Sequence, residues 1–267
     1  MTRVLEFLKT SSTFNVFRPR IIPVLLLKDN VLVKSTHFKK YRYIGDPINA
    51  VRIFNNHKAD ELIFLDISAT RNKRTISTAF VKKIGEEADM PFAVGGGINS
   101  IAGINEIIAA GAEKVVIGSA AVLNTELIKK ASDTFGASAI TVCMDVRKNF
   151  FGQERVWIKN GRKSTKYTPE IFAQMMEKNG AGELVVQSIP HDGMMQGYNI
   201  DLLRRIALCT TIPVVALGGA GNFGHLKQAY TEGLVNGLAA GSIFLYRSTK
   251  KGVLLNYPDD KNIFFNP

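Results

Sequence analysis

Two glycine blocks recur in this chain with the same internal spacing. Val94-Gly95-Gly96-Gly97-Ile98 is followed by Val116-Ile117-Gly118-Ser119-Ala120, and Leu217-Gly218-Gly219-Ala220-Gly221 by Ala240-Gly241-Ser242-Ile243. Gly95 to Gly118 spans 23 positions, and so does Gly218 to Gly241. The blocks lie 123 positions apart, and Asp60-Glu61-Leu62 echoes Gly182-Glu183-Leu184 at an offset of 122. One Gly-Gly pair arises easily by chance; two blocks with equal internal spacing do not. The repeat therefore predicts two similar halves, and any fold for the chain has to accommodate a duplication.

The pattern between the repeats narrows the choice. Strand-length apolar runs fall at 21–27, 61–67, 91–94, 114–117, 139–145, 183–188, 213–217 and 237–240. Amphipathic segments of helical period lie between them, at 47–56, 75–88, 101–110, 125–135, 169–179, 201–209 and 223–232. Continuous Val/Ile/Leu strands alternating with helices predict a parallel sheet covered by helices. Eight such units predict an α/β fold closed as a (β/α)8 TIM barrel, built as two half-barrels of four units. At 267 residues, one barrel uses nearly the whole chain. We expect a single barrel domain over 18–267 and an N-terminal extension over 1–17, which stands outside the repeat.

Charge and cysteine usage exclude several classes. Lys plus Arg number 34 against 23 Asp plus Glu, a formal charge of +11. This favours anionic ligands, but the basic residues are scattered and no nucleic-acid motif accompanies them. No stretch approaches the ~20 apolar residues of a membrane helix. Cys143 and Cys209 both lie in apolar runs, so buried free thiols and a reducing, cytoplasmic setting are expected. The four histidines share no metal-ligand spacing, and no Walker A loop or nucleophile elbow is present. We expect neither metal nor cofactor.

Candidate chemistry sits at the C-terminal strand ends, where this fold places its sites. Glycine there lets backbone N–H groups approach a phosphate, and a following helix start adds its positive dipole end. Gly96, Gly97, Gly118 and Ser119 in one half, and Gly218, Gly219, Gly241 and Ser242 in the other, would suit a ligand carrying a phosphate at each end. Tight strand-to-helix packing also demands glycine and is the rival reading. Asp145 closes the fifth strand, where a carboxylate can act as general acid or base or form an ion pair. Asp66 closes the second strand. Asp192, with Gly193, follows the sixth, where an Asx turn is the alternative.

With these strings in place, the chain resembles the synthase (cyclase) subunit of imidazole glycerol phosphate synthase from about Arg18 to Phe244. The matches are Arg20-Ile21-Ile22-Pro23, Asp60 through Ile67, Val94 through Ile98, Gly180-Ala181-Gly182-Glu183 and Gly218 through Gly221. The resemblance implies a heterodimer with a glutaminase subunit, whose ammonia enters at the N-terminal barrel face and travels inside the barrel to a phosphorylated small-molecule ligand. It carries a ring of charged residues onto Arg20, Glu61, Lys114 and Glu183, either as an ammonia gate or as a structural ion-pair ring. It carries the loop lysine onto Lys34. The family works with two aspartates, at the ends of strands 1 and 5. The strand 5 residue is Asp145, but the strand 1 position falls on Leu26. In the strand 6 loop, the family's Asp-Arg-Asp-Gly reads Pro190-His191-Asp192-Gly193.

Three functions stay open on these residues. The runs Pro23 through Lys28 and Val253 through Pro258 are similar to paralogues associated with amidation of surface-polysaccharide sugars. A working cyclase of histidine biosynthesis is the second reading. A non-catalytic phosphate-binding scaffold for the glutaminase is the third.

Overall fold

A computed structural model describes residues 18–245 together with Leu255, Tyr257 and Pro258. The expected extension at 1–17 lies outside the described residues, as does half of the 253–258 run.

Eight of the described strands run parallel and close into a ring: β1 (Arg20–Lys28), β4 (Leu62–Asp66), β5 (Phe92–Gly95), β6 (Lys114–Ile117), β7 (Ile140–Lys148), β10 (Glu183–Ser188), β11 (Val214–Leu217) and β12 (Gly237–Ala240). β12 pairs β1 in parallel, Arg20 opposite Gly237 and Pro23 opposite Ala240, which completes the barrel. The strand and helix positions agree with the sequence pattern to within about three residues.

Helices α1 (Pro47–Asn56), α2 (Thr78–Glu87), α3 (Ile101–Ala109), α5 (Thr125–Phe135), α6 (Pro169–Lys178), α7 (Ile200–Cys209) and α8 (Phe223–Thr231) pack outside the ring. Short α4 (Ser119–Leu123) and α9 (Ser242–Leu245) follow β6 and β12. Their starts are written locally. Asp46, Ser77, Ser100, Thr168, Asn199 and Asn222 each accept from a backbone N–H of the first turn they precede, which satisfies one otherwise orphaned donor. α1 then buries Ala50, Val51 and Phe54, spaced to face the sheet.

Alternation along each strand divides the apolar residues into two sets. On β1, Ile21, Leu25 and Leu27 join the layer between sheet and helices. Ile22 and Val24 turn inward and pack with Ile63, Val116, Val185 and Val215, with Leu26 partly buried at the top of the same face.

Two hairpins were not anticipated from sequence. β1 and β7, both nine residues long, run past the barrel rim. β2 (Val31–Thr36) and β3 (Lys40–Gly45) fold back antiparallel on β1; β8 (Glu154–Ile158) and β9 (Lys163–Ser164) do the same on β7. The duplication therefore extends to these flaps, one on the first strand of each half.

Candidate functional site

The base of the barrel is closed by charge. Arg20, Lys114 and Glu183 open their strands and Glu61 immediately precedes β4. Arg20 donates to both Glu61 and Glu183. Lys114 Nζ lies 3.0 Å from Glu61 and 3.3 Å from Glu183. The four thus alternate in sign around one closed circuit. Burial works against the Arg20 charge, but Glu183 and Glu61 outweigh it and hold the guanidinium above its ordinary value. Below the circuit, Arg18 forks onto Asp60, whose carboxylate also accepts the Ile21 N–H.

The mouth holds a cavity of about 440 Å³. Its lining brings together Lys34, Asp66, Gly96, Gly97, Gly118, Ser119, Asp145, Asp192 and Gly241 from the sequence-predicted set. Gly193, Gly218, Gly219 and Ser242 stand outside that lining. Among the described residues, no group of three or more His, Cys, Asp and Glu gathers as a metal site. No described helix is long and apolar enough to cross a membrane.

The three cavity carboxylates differ in what they touch. Asp66 is saturated: one oxygen accepts from Ser68 N (2.9 Å), Ser68 Oγ (2.7 Å) and Ala69 N (3.1 Å), the other from Arg74 Nη1 (2.6 Å). It shapes the loop after β4. Asp192 is buried and accepts from Ser35 Oγ (2.7 Å), Phe38 N (3.3 Å) and Gln187 Nε2 (3.4 Å), with Lys34 Nζ at 3.7 Å. It fastens the β2–β3 hairpin over the cavity. Asp145 has only a long contact, the Cys143 thiol 4.0 Å from Oδ1. Burial, with a smaller push from Asp192, raises its pKa to about 7. Burial, then Asp145, pushes the Cys143 thiol well up. Both cysteines are free, but they are half-buried rather than buried as expected, and Cys143 opens on the cavity.

Leu26 fills the inward position on β1, opposite Leu65 on β4 and Val33 on β2. Asp145 therefore has no free carboxylate partner across the cavity.

The glycine loops owe part of their composition to packing. Gly97 (φ +67°) approaches the Arg74 carbonyl so closely that a Cβ would sit 1.9 Å from its oxygen; at Gly219 (φ +123°) the clash is with Gly197 O at 2.0 Å. In both halves the loop after the preceding barrel strand presses on the glycine block. The rival reading of these two glycines thus has a physical basis, independent of any phosphate. Gly241 differs: the atom nearest its missing Cβ is Lys34 Nζ, at 2.9 Å, so the hairpin lysine lies over the second-half block. Ser119 Oγ accepts the Lys159 N–H of the β8–β9 turn at 2.9 Å.

Sequence reasoning missed several lining residues, among them Phe38, Tyr41, Asn160 and Gln187. The first three arrive on the two unpredicted hairpins. The available signal was the turn chemistry: Asp29-Asn30 and Asn160-Gly161, with φ of +52°, +64°, +56° and +69°, are paired residues suited to a primed hairpin turn.

Comparison with known proteins accords with this geometry. Residues 20–250 match the family model described as "Histidine biosynthesis protein". A protein of Leptospira borgpetersenii is 41% identical over 94% of this chain and its own full length, and one of Pseudomonas aeruginosa is 40% identical over 91% of this chain and 96% of its own. Their names are "Putative imidazole glycerol phosphate synthase subunit" HisF and hisF2. "Imidazole glycerol phosphate synthase subunit HisF" of Geobacillus kaustophilus is 37% identical, covering 91% of this chain and 97% of its own. With a closed eight-stranded barrel and a match across nearly its whole length, the chain belongs to the HisF family of imidazole glycerol phosphate synthase subunits.

Proposed function

We propose that the chain is a HisF-type synthase subunit that pairs with a glutaminase subunit, takes up ammonia at its charged base, and delivers it to a phosphorylated ligand in the cavity. Its product serves amidation of a surface-polysaccharide sugar rather than closure of an imidazole ring. The observation that carries the second statement is Leu26. Leucine transfers no proton, and neither Asp66 nor Asp192 is free to replace the missing carboxylate, because hydrogen bonds occupy both. Losing one member of an acid–base pair removes on the order of 10²–10⁴-fold in rate.

The remaining groups have definite tasks. Asp145, with a pKa of about 7, exchanges a proton with the ligand near neutral pH, the range in which a general acid or base works best. Gly118 and Ser119, at the start of α4, and Lys34 over Gly241 receive the two anionic ends. The ring of Arg20, Glu61, Lys114 and Glu183 admits ammonia on docking of the glutaminase.

The cyclase of histidine biosynthesis is the second reading, favoured by the names of the relatives and by the intact ring and Asp145. One assay separates the two: turnover of the phosphoribulosyl intermediate with saturating ammonium chloride, in the parent and in Leu26→Asp. Turnover in the parent establishes the cyclase and removes our reading. No turnover in the parent, with turnover appearing in Leu26→Asp, supports it. Silence in both points to the scaffold role.

A further inference from the structure

We propose that the Thr141 hydroxyl is a binding station for ammonia inside the barrel, between the charged ring and the cavity. The proposal deepens the ammonia-carrying reading above and rests on it for the identity of the ligand.

The inference starts from strand parity. Ile140, Val142, Met144 and Val146 of β7 pack in the layer between sheet and helices. Thr141, Cys143 and Asp145 therefore face the barrel interior. Thr141 is 1% exposed. Its Oγ1 is the one buried side-chain nitrogen or oxygen among the described residues with no hydrogen-bond partner. Buried hydroxyls are almost always paired, and an unpaired one forfeits its hydration without return.

Neither packing nor strand propensity accounts for the hydroxyl. Valine has the same shape and suits a strand as well. Val116 and Val185 already occupy inward positions on the flanking strands β6 and β10, and Val215 does on β11. The ring offers no partner either. Thr141 lies level with Glu183 on β10 and with Val116 on β6, but the polar contacts of Glu183 go to Arg20 and Lys114. The hydroxyl is thus left with one unused donor and its lone pairs, immediately inside the ring.

Above it the column continues with the Cys143 thiol and the Asp145 carboxylate, each two residues further along β7. Thr141 to Asp145 covers roughly 13 Å at about 3.3 Å per residue. β7 therefore presents a polar file from ring to cavity, facing the apolar residues Ile22, Val24, Ile63 and Val185. A neutral hydroxyl in such a wall suits a small neutral molecule that both donates and accepts a hydrogen bond. An ion would have to shed its hydration there beside ring charges that already satisfy one another. Ammonia and water share the required chemistry, and the test distinguishes them.

The full chain, with threonine and valine methyl groups labelled with ¹³C, is titrated by NMR with ammonium chloride at a pH where free ammonia is abundant. Potassium chloride and trimethylammonium chloride are the parallel arms. A saturable shift of the Thr141 methyl, confined to the ammonium arm, is expected. Thr141→Val should weaken the matching response of the Val116 methyl by about tenfold or more, the loss of one hydrogen bond, and Thr141→Ser should restore it. An unmoved Thr141 methyl, the same shift in all three salts, or a Val116 response that survives Thr141→Val overturns the station and leaves water as its occupant. The turnover assay fails independently. An ammonia shift keeps the station whether or not the parent turns over, and an unmoved Thr141 discards it whichever reading the turnover assay favours.

Discussion

At the base of the barrel four side chains of alternating sign close on one another, whereas at the mouth the Asp145 carboxylate, lining the same cavity as Leu26, has only a long contact with a thiol. Both ends bury charge, and they tolerate it differently. The base does so by pairing: each acid of the ring has two cationic neighbours, and the Arg20 guanidinium is held in its charged form. The mouth does so by taking up a proton, with Asp145 pushed up to about 7. Glu183 and Glu61 keep the Arg20 guanidinium charged; a lone carboxylate in an apolar setting is a titrating group. The contrast follows the general division of such barrels, in which the C-terminal face carries chemistry and the opposite face carries stability.

The largest test of this contrast is Asp145→Asn. We expect it to lower kcat of any activity the chain has by about 10²–10⁴-fold while leaving the melting temperature no lower than that of the parent; undiminished turnover would remove Asp145 from the chemistry. The next effect is on pH. Because the folded-state pKa of about 7 lies above the usual carboxylate range, the folded chain holds a proton that the unfolded chain has already released. Stability at this site should therefore fall by a few kcal/mol as pH rises from about 4 to about 7, and level off above. Chemical denaturation across that range should show the fall in the parent and not in Asp145→Asn. At the base, Glu183→Gln strands part of the charge on Arg20 and Lys114 and should cost about 3 kcal/mol, the low end for a broken buried pair because both cations keep some contact with water. Equilibrium unfolding near neutral pH measures it, and a change within error would show that the ring contributes nothing to stability. The smallest effect belongs to the strap over the mouth. Ser35→Ala removes the 2.7 Å hydrogen bond to Asp192 and should cost about 1.5 kcal/mol, seen as a modest drop in Tm.

The same two regions mark what could be read from sequence. The base was legible through the family resemblance, which named its four residues, and through the apolar runs, which put each at or beside a strand start. Arg20, Glu61, Lys114 and Glu183 meet there. At the mouth, the strand ends were legible but the loops were not. β3 reads Lys-Tyr-Arg-Tyr-Ile-Gly and is largely exposed. Its charged and aromatic residues alternate, but neither face is buried, so nothing local pointed Phe38 and Tyr41 at the cavity. Asp66 and Asp192 were expected at the ligand; they reach the cavity wall, yet their oxygens are occupied by Arg74, Ser68, Ser35 and Gln187. Those partners lie up to 157 positions away, beyond any local pattern. The unpaired state of Thr141 was invisible for the same reason, since it depends on what the flanking strands β6 and β10 do not offer.

The pairing of β12 with β1 sets a schedule for biosynthesis. Until Gly237–Ala240 leaves the ribosome, β1 exposes one edge of bare backbone N–H and C=O groups, and the growing sheet ends in another. Such edges invite pairing with other chains. The half carrying β1 through β6 can pair its strands early, one to the next, but the interior seals only when sequence positions more than 200 apart meet. Contacts of that range are slow to form. The nascent chain therefore spends most of its synthesis as an open, adhesive sheet, and its last barrel strand acts as the clasp that ends this exposure.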